Sequence, residues 1–422
     1  MYKCYGSLVI VSLLIIASRL NGQEHCAETH GQQPIDVLQA HVKTLQSELK
    51  TAEAAEPGTV ESANIRKAQE RLLVAMEELE CQQENSVSVQ KGILTTSTFV
   101  QVPLLYVTDR QRAAPQGTDK FYTSATSGGL EFGRVDAVIN EIGAIRTGLI
   151  TGAKRVSAPV SMGKPQVQTL QPLSEKAFTD IVASRPNRRE PTRVLLFVHG
   201  FDVQFYEAAL SLARLATSMQ ISLVPVFYSW PSQGAVLGYW HDEDEVSAAV
   251  VRFSPFLERL LSGPTDEVII VCHSMGARIV TRALGELARK SANLSSLKKV
   301  VFAAADINVE ELNAQWPFLR KIPRVQWTLY ESSGDFALQL STYIHHFRRV
   351  GESDGQLYVQ DGIDTIDASP TASVFRNFGH SYLVNSPALA ADIGDWVAQD
   401  LPPGVRGLGR LTQGRAVYWK FP

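Results

Sequence analysis

Ser274 stands in Cys272-His273-Ser274-Met275-Gly276, directly after the apolar run Val268-Ile269-Ile270-Val271. A buried strand that runs into a serine on a sharp turn, with a helix opening behind it, lifts one hydroxyl clear of the backbone as a nucleophile. The familiar spacing is Gly-x-Ser-x-Gly. Gly276 supplies the second glycine, and Cys272 occupies the first position, where the side chain must be small. The plainer use of such a serine is as the N-cap of the helix that follows.

A hydroxyl nucleophile needs partners. Two backbone N–H groups must already be in place to receive the negative oxygen of a tetrahedral intermediate. Met275 N–H, next to the nucleophile, is one candidate. Phe201 N–H is the other, because Val198-His199-Gly200-Phe201 closes a separate apolar strand and Gly200 lets the backbone come close. His199 and His273 read as structural, with the His199 ring bonded to nearby backbone. The base is expected late in the chain, in the order Ser, Asp, His. His380, in Gly379-His380-Ser381-Tyr382, occupies that place ahead of the competitors His345 and His346. A buried carboxylate must then fix its tautomer. Asp335 and Asp306 each follow a predicted strand. Asp335 is favoured, being one strand nearer the histidine loop, and Asp306 then caps a loop or lines the pocket. Trp230 and Tyr239, in the aromatic stretch 228–240, are read with His199 and Gly200 as lining the substrate pocket, or else as loop packing.

The elements that must hold these groups alternate. Strands are predicted at 100–107, 132–139, 194–198, 223–230, 268–272, 299–305, 325–330 and 364–366. Helices are predicted at 173–184, 205–219, 243–261, 277–288 and 387–399. This order implies an α/β fold with a mostly parallel sheet and helices on both faces.

Upstream, apolar residues step by three and four over 35–52 and again over 65–79, with Glu56-Pro57-Gly58 between the runs. That is the pattern of an antiparallel helical hairpin with a coiled-coil-like seam. Its ends bring Cys26 near Cys81, so a disulfide is expected in an oxidising compartment. The hairpin reads equally as a dimerisation or envelope-docking arm and as a spacer. Before it, Lys3 followed by the apolar stretch 8–17 and the small polar stretch 18–22 has the layout of a secretory signal, or alternatively of an uncleaved anchor. The apolar stretch is shorter than the about 20 residues of a comfortable membrane span, and no later segment is long and apolar enough. The expected organisation is therefore a signal at 1–22, hairpin at 23–85, linker at 86–98, catalytic domain at 99–400 and basic tail at 401–422, the tail reading more readily as a strand or frayed end than as a surface or partner contact. Export to the periplasm or medium follows from the signal.

A formal charge of −3 over 422 residues gives no support to nucleic-acid binding, and no Cys/His cluster has metal-ligand spacing. No cofactor is implied.

These residues together resemble the α/β-hydrolase superfamily and, within it, a bacterial family of esterase/lipase-like hydrolases of unknown function. The match is carried by Leu105-Tyr106-Val107-Thr108-Asp109-Arg110, Phe197-Val198-His199-Gly200-Phe201, Ser229-Trp230-Pro231-Ser232, His273-Ser274-Met275-Gly276, Ala305-Asp306 and Ser333-Gly334-Asp335-Phe336-Ala337-Leu338. It spans roughly 99–400 and implies the fold and a Ser–Asp–His triad. The expectation is a serine hydrolase acting on a small-molecule or lipid-like carboxylic ester. The alternative is a catalytically silent scaffold that binds an envelope partner through the hairpin.

Overall fold

The computed structural model of the chain describes residues 98–113, 121–140, 150, 153–157, 166–184, 191–201, 203–219, 221–232, 239–333, 335, 338, 341–342, 347–353, 356–371 and 386–422. It also describes scattered positions between 37 and 75. The chain divides into two compact units: Met1–Thr95 with Val374–Phe378, and Thr96–Ser373 with Gly379–Pro422.

In the first unit, the described residues Val37, Ala40, His41, Thr44, Leu45, Ser47, Glu48, Arg71 and Ala75 are all helical. Arg71 Nη1 lies 3.3 Å from Glu48 Oε2. The expected signal at 1–22, Cys26, Cys81 and the expected linker up to residue 97 lie outside the described residues.

The second unit is built on one sheet. Its strands are β1 (Thr98–Arg112), β2 (Tyr122–Asn140), β3 (Lys154–Ser157), β4 (Gln166–Leu173), β5 (Arg193–Val198), β6 (Val224–Ser229), β7 (Glu267–His273), β8 (Leu297–Ala303), β9 (Gln326–Glu331), β10 (Asp364–Asp367), β11 (Gly409–Gln413) and β12 (Ala416–Lys420). The spatial order is β11-β12-β10-β9-β8-β7-β5-β6-β1-β2-β4, with β3 paired to β1. Every pairing from β1 through β6, β5, β7, β8 and β9 to β10 is parallel. Antiparallel pairs at each margin close the sheet.

Period-two alternation explains why these segments are buried on both faces. In β5, Val194, Leu196 and Val198 enter one core while Leu195 and Phe197 enter the other. In β7, Val268, Ile270 and Cys272 face the first core and Ile269 and Val271 the second. Four helices cover the first core: α1 (Glu175–Ala183), α3 (Tyr239–Ser262), α4 (Gly276–Arg289) and α5 (Val309–Leu319). Two cover the second, α2 (Phe205–Met219) and α6 (Pro387–Gln399). Several helix starts are written locally. Ser174 accepts from Ala177 N at 3.2 Å, Asn308 from Glu310 N at 2.8 Å, and Ser386 from Leu389 N at 3.2 Å. Each satisfies an N–H that the helix itself leaves orphaned.

Several features depart from the sequence reading: β2 begins at Tyr122 rather than 132, and helix α5, Val309–Leu319, lies where no helix is predicted. Helix α3 begins at Tyr239 rather than 243, so Tyr239 and Trp240 open a helix instead of ending an aromatic loop. Residues 401–422, read as a basic tail and more readily as a strand or frayed end than as a surface contact, contribute β11 and β12. Strand β12 pairs in parallel with β10, which makes this stretch part of the sheet. Among the described residues no helix is long and apolar enough to cross a membrane.

Candidate active site

Ser274 occupies the turn between β7 and α4, near the middle of the parallel strands and at their carboxyl ends, where sites in open α/β sheets form. Its φ is +52°, a left-handed value that costs a non-glycine residue about 1–3 kcal/mol and persists only where the surroundings enforce it. The enforcing bonds are visible. Ser274 N donates to Ala303 O at 3.1 Å, and Ser274 O accepts from Ala277 N at 3.0 Å and Asp306 N at 3.2 Å.

Close approach does the rest. A Cβ on Gly276 would lie 2.4 Å from His199 O and 2.5 Å from Val198 O, so this glycine lets the turn press against the end of β5. A Cβ on Gly200 would lie 2.5 Å from Ser274 Cβ, which brings the predicted oxyanion loop directly against the serine. The departure at Cys272 is absorbed within the core. Its thiol is buried and donates to Val301 O at 3.2 Å, and burial pushes its pKa well up, which leaves it inert.

On the β5 side, the buried His199 ring stacks on Trp230 with centroids 5.4 Å apart and planes within 9°. Trp230 Nε1 donates to His199 O at 2.8 Å. His199 Nδ1 sits 2.8 Å from Gly200 O, and Nε2 sits 3.3 Å from Ser229 Oγ. Burial, reinforced by the charge of Arg110, holds this imidazole well below its ordinary pKa. His199 therefore works as a neutral group that shapes the loop. Trp230 is fully enclosed and backs that loop.

On the β8 side, the two predicted acids have different surroundings. Asp306 Oδ2 pairs with Arg278 Nη2 at 3.0 Å, while Oδ1 accepts from Ser341 Oγ at 2.9 Å and lies 3.1 Å from Arg349 Nε. Arg278 Nε also donates to the Asp306 carbonyl. Both carboxylate oxygens are thus taken up in a buried Arg–Asp–Arg cluster that ties α4 to the end of β8. Asp335 is equally buried, and its Oδ1 accepts Leu338 N at 3.0 Å. It follows β9, one strand further on. His380, the expected acceptor of the Ser274 proton, lies outside the described residues, as do His345 and His346. Met275 is the N-cap of α4 with helical φ and ψ, so its backbone begins the first turn behind the serine.

Sequence reasoning passed over Arg110, which was noted only within a motif. Its guanidinium is buried at the end of β1 and bonds to Ser229 Oγ at 2.9 Å and to Val203 O at 2.6 Å. An arginine at the end of an apolar strand, Leu104 to Val107, was the available signal.

Residues 174–395, more than half of the chain, match the profile of a family described as "Alpha/beta hydrolase of unknown function (DUF900)". No curated protein matches. Among solved structures, an esterase of Pyrobaculum calidifontis is 11% identical over 77% of this chain and 92% of its own, with a TM-score of 0.33. The RedJ thioesterase of Streptomyces coelicolor prodiginine biosynthesis is 14% identical over 52% of this chain and 93% of its own, with a TM-score of 0.26. An arylesterase structure is 13% identical over 49% and 77%, with a TM-score of 0.27.

Proposed function

The chain belongs to the DUF900 family of α/β-hydrolases of unknown function, and from that premise we propose that it is an exported serine hydrolase of carboxylic esters. The observation that carries this reading is Ser274 itself. It is held at φ +52° with Gly200 packed against its Cβ, at the carboxyl ends of the parallel strands. A serine needed only as a helix cap has no use for that strain.

In this mechanism Ser274 Oγ attacks the acyl carbon while His380 takes the hydroxyl proton. Phe201 and Met275 N–H groups receive the oxyanion. His380 passes its proton to the departing alcohol, and an acyl-enzyme remains. Water, deprotonated by His380, then attacks the acyl carbon and releases the acid and Ser274. Asp335 orients the imidazole and stabilises its cation. Asp306 is not assigned this role because two arginines already occupy its carboxylate. The substrate is a small-molecule or lipid-like ester. The hairpin at 23–85, stapled by Cys26–Cys81, serves as a dimer or envelope contact, and the segment at 1–22 directs export.

A fluorophosphonate probe is expected to label the wild type and not Ser274→Ala, and short-chain nitrophenyl esters to be cleaved only by the former. A folded wild type that takes no label and cleaves no ester would leave the scaffold alternative standing. Cell fractionation with and without residues 1–22 tests export, and non-reducing peptide mapping tests the disulfide.

A further inference from the structure

Arg110 is the group that the reading above leaves unused. Burying a guanidinium is costly unless its donors are satisfied. Among the described residues it forms no ion pair. Its acceptors are Ser229 Oγ at 2.9 Å from Nε, Val203 O at 2.6 Å from Nη2, and Thr123 O and Ser232 O at 3.3 and 3.4 Å from Nη1. Burial lowers its pKa to about 10, so it stays charged near neutrality. An apolar side chain would join these strand ends at less cost. What a cation adds is direction.

The direction can be followed atom by atom. Ser229 Oγ accepts from Arg110 Nε, so its own proton points elsewhere, and His199 Nε2 is 3.3 Å away. On the other side of the ring, Nδ1 faces Gly200 O at 2.8 Å. A carbonyl oxygen only accepts, and Gly200 O is the stronger of the two backbone partners that the ring meets, the Trp230 backbone being the other, so Nδ1 carries the single hydrogen of the neutral ring and Nε2 is the acceptor. The ring cannot turn, being stacked on Trp230, whose Nε1 holds the His199 carbonyl. The relay therefore runs Arg110 to Ser229 to His199 to Gly200 O. Gly200 C=O and Phe201 N–H belong to one planar trans peptide and point in opposite directions. Fixing the oxygen on the imidazole turns the N–H away from it, in a loop whose Gly200 abuts Ser274. Arg110 also grips the Val203 carbonyl, so the loop is held at both ends.

We propose that Arg110 is a positioning residue that fixes the orientation of the Gly200–Phe201 peptide through Ser229 and His199. The proposal rests on the reading of Phe201 N–H as an oxyanion donor. Loss of a whole donor costs roughly 100- to 1,000-fold in kcat, so a donor left in place but mis-aimed is expected to cost about 10-fold or more.

The test has two independent readouts. The first is nitrogen NMR of the His199 ring in full-length Ser274→Ala protein, assigned by comparison with His199→Gln. The expected state is hydrogen on Nδ1 and none on Nε2, with that preference lost in Ser229→Ala. The second is steady-state hydrolysis of a nitrophenyl ester by folded enzyme. Ser229→Ala and Arg110→Lys are expected to lower kcat about 10-fold or more with KM held within about twofold, and Ser229→Thr, which keeps the hydroxyl, to retain wild-type kcat. An Nε2-protonated ring in the parent, a fall confined to KM, or a Thr variant as impaired as the Ala variant overturns the relay. If Ser229→Ala does not fold, the Arg110→Lys and Ser229→Thr pair decides by the same criteria. A wild type that neither labels nor hydrolyses defeats the esterase reading instead, and the ring tautomer then decides the relay by itself.

Discussion

The two flanks of Ser274 are held by different physical means. Toward β5, β6 and β1, the loop bearing Gly200 and Phe201 is fixed by directed neutral hydrogen bonds and ring stacking around His199, with Arg110 behind them and the buried Asp109–Arg252 pair beyond. Toward β8 and β9, the turn is fixed by buried charge, Asp306 between Arg278 and Arg349, with the buried side chain of Asp335 beyond. On the proposed esterase reading, the difference follows from what each side has to present. An oxyanion is received by N–H dipoles, which need precise aim and no charge of their own. A catalytic imidazole is oriented by a carboxylate, and carboxylates survive burial only if they are paired or hydrogen-bonded.

That contrast can be broken most decisively on the charged flank. Asp335→Asn is expected to lower kcat about 10,000-fold, because the amide keeps the Leu338 N–H bond but misdirects the imidazole. Circular dichroism and thermal melting should stay close to wild type. Asp306→Asn is expected to do the reverse. It leaves two buried guanidinium groups without their anion and lowers stability by about 3–5 kcal/mol, read by denaturant titration. Residual activity should follow the folded fraction. If the two phenotypes come out exchanged, Asp306 is the acid.

A change at the seam between the flanks sharpens the comparison. Gly276→Ala places a methyl 2.4 Å from a backbone carbonyl that cannot move aside, so turn and strand must separate. A loss of about 1–3 kcal/mol is expected, with slower fluorophosphonate labelling as the check.

The smallest effect concerns Glu331. Burial raises its carboxyl pKa well above the ordinary value of 4.5, although Tyr358 N donates to both its oxygens at 2.9 Å. The folded state then holds a proton that the unfolded state gives up above that value. Stability from this group is fully present below pH 4.5 and falls as pH rises toward the folded pKa. Glu331→Gln is expected to flatten that decline, measured as melting temperature at several pH values. His199 bears on the opposite flank with the opposite slope. Its lowered pKa means that stability present above 6.5 is lost as pH falls below it. His199→Gln should remove that acid-side loss.

Much of this was legible beforehand because it is written locally. The apolar runs in β5 and β7, the caps at Ser174, Asn308 and Ser386, and the serine turn each depend on a few consecutive residues. The helices Phe205–Met219 and Pro387–Gln399 fall at the boundaries that periodicity and capping imply. The start of α3 was misplaced because Tyr239 and Trp240 follow a Gly-rich stretch that reads as loop. The place of β11 and β12 in the sheet was obscure because both are five residues long and Gly409–Gln413 is largely exposed, and only the pairing of Ala416–Lys420 with β10 joins them to the sheet.

By itself, then, the sequence determined the alternating architecture, the strained serine turn and the kinds of side chain that surround it. Tertiary structure decided which of two similar aspartates is tied up by arginines and why an arginine is buried at the end of β1. The reason is distance along the chain. Asp306 meets Arg278 across 28 positions, and Arg110 meets Ser229 across 119. Periodicity and spacing report a residue's own strand or helix. The partner of a buried charge is set by which strand ends the parallel sheet brings side by side.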